Sequence, residues 1–412
     1  MMVTRREGRG SGAPLWVILG VSFLVQVLLI WGTGSQVTGA DGSTYWSNAQ
    51  EVLSNRTIAS SELFNNNYWP AGYTLLLTPF RVFGDVGLIL VRIAQGLMLL
   101  VVAFWMARCV SMYVSQRAGL VVGAIVAFSP TMLSGVVDIG YEMFLAFALT
   151  CAIVLLRIIP YNATPSEFHS LAVWRVFGAG LLLGFTLIVQ FKAIVLLPFF
   201  VLFMAGRTWK RAVAFVIGSV VFPALWSVRN VLAGVGWPPW STNGPVNLWI
   251  GNNPLATGGY MDPPPIPQGW GDEYLGAVLQ FIASQSNTFY RLSWEKFDRL
   301  FYPVQVTDNL QSDVVLVNFM ISTVIWLGSV ALLLGLVLYL SGLAWGVGGQ
   351  LYAFRSLAAL TCVYIVLSIP FLVEPRFRIP IEPWLVALAV LSYWKVYGQA
   401  RNRRLMKESS RN

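Results

Sequence analysis

Apolar stretches of about twenty residues recur along this 412-residue chain, each enough to cross a hydrocarbon layer about 30 Å thick. In lipid, backbone polar groups must be satisfied within the protein, so only helices and closed barrels can span it. A barrel would show ten-residue strands of alternating polarity, and this chain shows continuous apolar runs instead. Only 11% of its residues are charged, against about 25% in soluble domains. The fold class is therefore an all-α polytopic membrane protein. Ten spans are expected, at 15–33, 86–107, 118–136, 141–159, 175–190, 193–206, 211–229, 314–340, 356–372 and 380–397. The first follows Arg5, Arg6 and Arg9, but it is long and lacks a small-x-small cleavage site, so it reads as a retained span. Gln190, Lys192 and Pro198 interrupt 175–206, which reads as two short spans joined by a tight turn or as one kinked helix.

Ten spans put both termini on one side. Most of the 27 basic residues then fall on that side, with three acids, Glu7, Glu167 and Glu408. This is the positive-inside asymmetry of a cytoplasmic face, and it accounts for the net charge of +9 without nucleic acid. The expected organisation is a cytoplasmic tail (1–14), a transmembrane domain (15–397) and a basic cytoplasmic tail (398–412), in a cell membrane. Cys109, Cys151 and Cys362 lie in or beside apolar runs and suggest neither disulfides nor a metal site. His169, the only histidine, reads as a solvated residue of a cytoplasmic loop. Gly180-x-x-x-Gly184 fits close helix packing.

Two segments, about 34–85 and 230–313, are too long for plain connectors and fall on the opposite side. The first carries a short amphipathic helix, with Tyr45, Ala49, Val52 and Leu53 on one face, able to lie in the membrane interface. The second begins with turns and extended chain, punctuated by Pro238-Pro239, Gly258-Gly259 and Pro263-Pro264-Pro265. From Glu273 to Phe301 its pattern is helical.

Polar residues near these loops carry the chemistry. Asp41 sits at the outer mouth of the first span, where charge is costly and marks function, although aspartate is also a preferred helix cap. Asp138 and Glu142 flank the junction of spans three and four, on one face if that stretch is helical. Few cations lie outside: Arg56, Arg81, Arg92, Lys192, Arg229, Arg291, Lys296, Arg299, Arg376 and Arg378. Of these, Arg291, Lys296 and Arg299 read as headgroup or solvent contacts. An extended Glu374–Pro380 segment would turn Arg376 and Arg378 the same way, and guanidinium forks suit phosphate. Nucleotide-binding loops, HExxH and GxSxG are absent, so a site here works with carboxylates and cations.

Four segments carry a resemblance: Asp41 to Ala49 followed by Tyr68-Trp69-Pro70-Ala71-Gly72-Tyr73; Tyr141-Glu142-Met143-Phe144; Pro223 to Asn230 leading to Asn247-Leu248-Trp249-Ile250-Gly251-Asn252-Asn253-Pro254; and Glu374-x-Arg376-Phe377-x-x-Pro380-x-x-Pro383. In order and placement they resemble the GT-C superfamily of polyprenyl-phosphate-sugar-dependent glycosyltransferases, in the branch of bacterial protein O-mannosyltransferase relatives and the aminoarabinose transferase. The resemblance implies a GT-C-like architecture and transfer of one sugar from a polyprenyl-phosphate donor in the membrane to a hydroxyl of a glycan, lipid or protein. Asp41 matches the catalytic acid of the first outer loop, and Glu142, better than Asp138, the second acid. Lys192, Arg229, Arg376 and Arg378 match cations on the donor phosphate. Tyr45, Tyr68, Trp69, Tyr73, Asn252, Asn253 and Glu374 are expected to line the substrate. The resemblance leaves room for a divalent cation (Mg or Mn) on Glu142 and Asp41. Two departures are the lack of the soluble C-terminal domain of some relatives and of an outer histidine for a histidine-containing metal site. A flippase of lipid-linked sugars and a glycan ligase of the O-antigen type share parts of the pattern.

Overall fold

Continuous apolar runs favour helix, and every regular element among the described residues of this computed structural model is helical. Those residues are 13–39, 41–55, 68–158, 172–205, 208–237, 241–302, 315–342 and 354–409; His169 and Arg56 lie outside them. The helices are α1 (Ala13–Thr33), α2 (Gly42–Asn55), α3 (Ala71–Arg81), α4 (Asp85–Tyr113), α5 (Gln116–Phe128), α6 (Pro130–Val137), α7 (Glu142–Leu155), α8 (Val173–Val189), α9 (Leu197–Ala205), α10 (Trp209–Leu232), α11 (Gly244–Gly251), α12 (Tyr274–Ser284), α13 (Ser286–Phe301), α14 (Val315–Leu340), α15 (Arg355–Ser368) and α16 (Glu382–Ser409). Two 3₁₀ turns, Phe191–Leu196 and Pro375–Arg378, complete the set.

Each of the ten expected spans falls on a helix or an interrupted helix. Length and composition alone qualify α1, α4, α10 and the Thr323–Leu340 part of α14 as crossing a membrane, with α5 and α6 a fifth span if the bent pair counts as one. The 44° bend between α5 and α6 has a local cause. Pro130 opens α6, and the Ser129 hydroxyl caps it by accepting the Met132 N–H, so the chain restarts a helix there. The 175–206 stretch resolves into two helices. Gln190 is extended (φ −152°, ψ 106°), and Pro198 sits in the first turn of α9, where no intrahelical N–H is needed.

The long helix α4 packs against α1, α5, α6, α7 and α16. Beside it α8 and α10 approach closely, and a methyl group on Gly184 would stand 2.6 Å from the Ser219 carbonyl oxygen.

Residues of α4 tie the segment after α1 to the junction of α6 and α7. The carbonyls ending α1 and α6 have no partner inside their own helices. Buried Arg92 supplies one, donating from Nε to Val137 O (2.7 Å), from Nη1 to Gly34 O (2.6 Å) and from Nη2 to Gln36 O and Thr38 Oγ1. One turn on, Gln95 donates to the Val136 and Asp138 carbonyls (2.9 Å each) and accepts from the Tyr73 hydroxyl. The Ile139 N–H closes the seam on Thr38 O. This clamp holds the end of α1 against the α6–α7 junction. The apolar face of α2 also turns inward: Tyr45, Ala49 and Val52 are buried and α2 packs on α3. The apolar face of this helix is thus covered by the protein itself.

Candidate active site

Asp41 precedes α2, and its carbonyl accepts the first helical bond from Tyr45 N–H. Its carboxylate points away, Oδ2 accepting from Arg376 Nη2 at 2.7 Å. Glu142 opens α7, and its Oε1 stands 3.5 Å from Arg376 Nε. Three segments far apart in sequence therefore meet on one guanidinium. The two acids differ in setting, because the Glu142 side chain is 4% exposed and that of Asp41 27%. Glu142 Oε1 is buried without a hydrogen bond among the described residues. Burial alone would lower the Arg376 pKa, but Glu142 and then Asp41 outweigh it and hold it above its ordinary value. The guanidinium is a permanent charge that fixes both carboxylates.

The other expected residues divide between this cluster and the fold. Tyr45 lies beneath Asp41, edge-on to Trp69, Tyr73 and Tyr141 at 5.6, 5.1 and 6.3 Å. Burial, then the charges of Asp41 and Glu142, raise its phenol pKa, so it remains a hydroxyl. Tyr68 and Trp69 are half-buried and edge-on to each other, whereas Tyr73 is buried with its hydroxyl on Gln95. Lys192 sits above the rings of Phe371 and Phe377 at 4.9 and 4.5 Å. Arg229 stacks on Trp226 and reaches Asn230 Oδ1, and Trp226 packs among Val52, Ala71 and Ile188.

Three expectations need correction. Asp138 and Glu142 share no helix face: α6 ends at Val137, Asp138 is extended (ψ 140°) and α7 starts at Glu142. Arg376 and Arg378 do not point together. Their segment is a 3₁₀ turn, where residues two apart face different sides, and Arg378 turns inward to Glu382 (2.6 Å), Thr131 and Ser329. That fork is committed to the core. Nor does Asn253 face a cavity: it is buried, with Nδ2 on Trp249 O and Oδ1 accepting from Leu255 N–H. Glu374, expected nearby, accepts from the Tyr260 N–H at 2.8 Å.

The sequence suggests a headgroup or solvent contact for Lys296, but its side chain is 0% exposed and its Nζ donates to Asn252 Oδ1 at 2.7 Å. The amphipathic period of 286–301 held the only signal, since Lys296 falls on the face with Leu292 and Leu300, both buried. Burial, helped by the charge of Lys192, pushes the Lys296 ammonium from 10.5 down to about 7. Between those values the unfolded chain holds the proton and the native state does not, so native stability rises with pH across that window. Below about 7 both states hold it and the penalty is complete. The melting temperature of purified protein is therefore expected to climb more between pH 7 and 9.5 than that of Lys296→Met; parallel profiles would refute this.

Asp41 and Glu142, the two acids expected to hold a divalent cation, both face Arg376. Mg is held by one or two carboxylates, with waters and substrate phosphate completing its shell; here the Arg376 guanidinium already supplies a positive charge between the two acids. Among the described residues no three His, Cys, Asp or Glu side chains come together to hold an ion. Any transfer activity is expected to keep its rate, within about twofold, in excess chelator. A loss reversed by Mg or Mn would overturn this.

The chain is similar to the archaeal oligosaccharyltransferase AglB from Archaeoglobus fulgidus, solved in complex with an inhibitory peptide and a dolichol-phosphate, with TM-score 0.53 and 12% identity over 96% of this chain and 52% of that one. It thus spans about half the length of AglB. It also matches ArnT from Cupriavidus metallidurans, bound to undecaprenyl phosphate, with TM-score 0.44 and 12% identity over 94% of this chain and 78% of that one. No protein-family model and no curated protein sequence matches it.

Proposed function

We propose that this chain is a membrane glycosyltransferase that moves one sugar from a polyprenyl-phosphate donor to a hydroxyl acceptor on the extracytoplasmic face. The observation that carries this reading is the meeting of Asp41 and Glu142 on Arg376, with Lys192 over the neighbouring Phe377 ring. Base and cations stand together where loops from separate helices join. The GT-C-like fold and the dolichol-phosphate in the AglB complex support the donor class, and the positive-inside asymmetry supports the face.

Asp41 is suited to be the base. One carboxylate oxygen is held by Arg376, which leaves the other for an acceptor hydroxyl. As the acceptor oxygen bonds to the anomeric carbon, Asp41 takes its proton. The bond from that carbon to the phosphate oxygen breaks on the opposite face, giving inversion and a polyprenyl phosphate. Phosphate is a weakly basic leaving group, so a single carboxylate is sufficient. Glu142 Oε1, buried without a hydrogen bond among the described residues, is the acceptor left for a sugar hydroxyl. Cations fixed where charge develops are among the largest catalytic contributions.

The test is to incubate purified protein in detergent with a panel of polyprenyl-phosphate sugars and follow loss of sugar from each. Consumption of one donor, with release of polyprenyl phosphate, is expected. A flippase would leave every donor intact in detergent yet translocate one across liposomes, and that result would overturn the proposal.

A further inference from the structure

Lys296 has no role in the chemistry above, and its surroundings are unusual for a lysine. Its Nζ has one hydrogen bond among the described residues, to Asn252 Oδ1. Asn252 is itself pinned, Nδ2 donating to the Leu248 and Pro370 carbonyls at 2.7 and 2.5 Å. Its oxygen therefore has to face the ammonium. The turn that presents it lies hard against the 370–377 segment, where a methyl group on Gly251 would stand 2.6 Å from Leu372 N. That same segment carries Phe371 and Phe377 beneath Lys192, and Arg376 beside Asp41.

No carboxylate lies within ion-pair distance of Lys296 or Lys192 among the described residues. The nearby acids are engaged elsewhere, Glu295 with Arg291 and Glu374 with the Tyr260 N–H. Lys296 instead feels the charge of Lys192, and Lys192 feels those of Arg376 and Glu142. Two like charges, one of them wholly buried, are costly without an anion. An ammonium has three donors, so Lys296 retains two beyond Asn252. Arg376, in contrast, is already balanced by two carboxylates.

We propose that Lys296 and Lys192 together seat the phosphate of the donor, while Arg376 holds the two acids. This rests on the lipid-phosphate reading of the site and reassigns its cations. The charge gained by the departing phosphate oxygen then falls on the lysine pair, and the base keeps its own counter-ion. Asn252 is a positioning residue that aims Lys296.

The test uses the full chain in nanodiscs, with farnesyl phosphate and uncharged farnesol as probes and tryptophan fluorescence as the readout. Wild type is expected to bind the phosphate more tightly than the alcohol. Lys296→Met is expected to lose roughly tenfold or more of the phosphate affinity, the size of a charged hydrogen bond, with farnesol unchanged. Without ligand it should melt higher than wild type at pH 7, because a buried cation has been removed. Equal weakening for both probes with a lower melting temperature would make Lys296 structural and overturn the assignment. Wild-type preference for the phosphate with no change in the variant would overturn the lysine seat and leave the lipid-phosphate reading standing. No wild-type preference would overturn both.

Discussion

Asp41→Asn is expected to lower sugar transfer by about two to four orders of magnitude, the usual contribution of a general base, with expression and melting temperature near wild type. The substitution is a fine instrument because the amide oxygen can still accept from Arg376 Nη2, now 2.7 Å from the carboxylate. Asp41 is also the more open of the two acids, so the change leaves no deeply buried charge behind. What is lost is the capacity to take a proton. Transfer rates with the preferred donor, measured beside melting curves, check this. Activity within about tenfold of wild type would remove Asp41 from the base role, since base catalysis contributes more than that.

Arg376→Gln is expected to abolish transfer and also to destabilise the protein. Glu142 is buried against this guanidinium, and Asp41 approaches it from the other side. Without it the two carboxylates lose their ion-pair partner, and breaking a buried pair costs about 3–5 kcal/mol. Arg376→Lys is a poor substitute, because one ammonium lacks the planar fork that reaches both acids. The double variant Arg376→Gln with Glu142→Gln removes the stranded charge. It should regain most of the thermal stability and none of the activity. If Arg376→Gln alone melts like wild type, the bridge seen here does not hold the loops together.

The site was legible in part. Asp41, Glu142, Lys192 and Arg376 stood out because charge beside a membrane span is costly and rarely idle. Their partners were less visible. Arg376 and Arg378 look equivalent as sequence, and only the 3₁₀ turn separates one that meets Asp41 from one sealed against Glu382. Lys296 looked like an interfacial lysine, because nothing local shows that Asn252, forty-four residues earlier, faces it. Arg92 looked like a stranded cation, and its part in tying Gly34 to Val137 rests on carbonyls that any residue carries.

The amino-acid sequence alone determined that this is a helical membrane protein, and it named the charges to watch. Hydropathy and charge asymmetry act residue by residue against a uniform solvent, lipid or water, so they can be read along the chain. Which charges touch was decided only by the tertiary structure. Contacts such as Arg376 with Asp41, 335 residues apart, depend on how helices pack and where each turn ends, and no local pattern encodes that geometry.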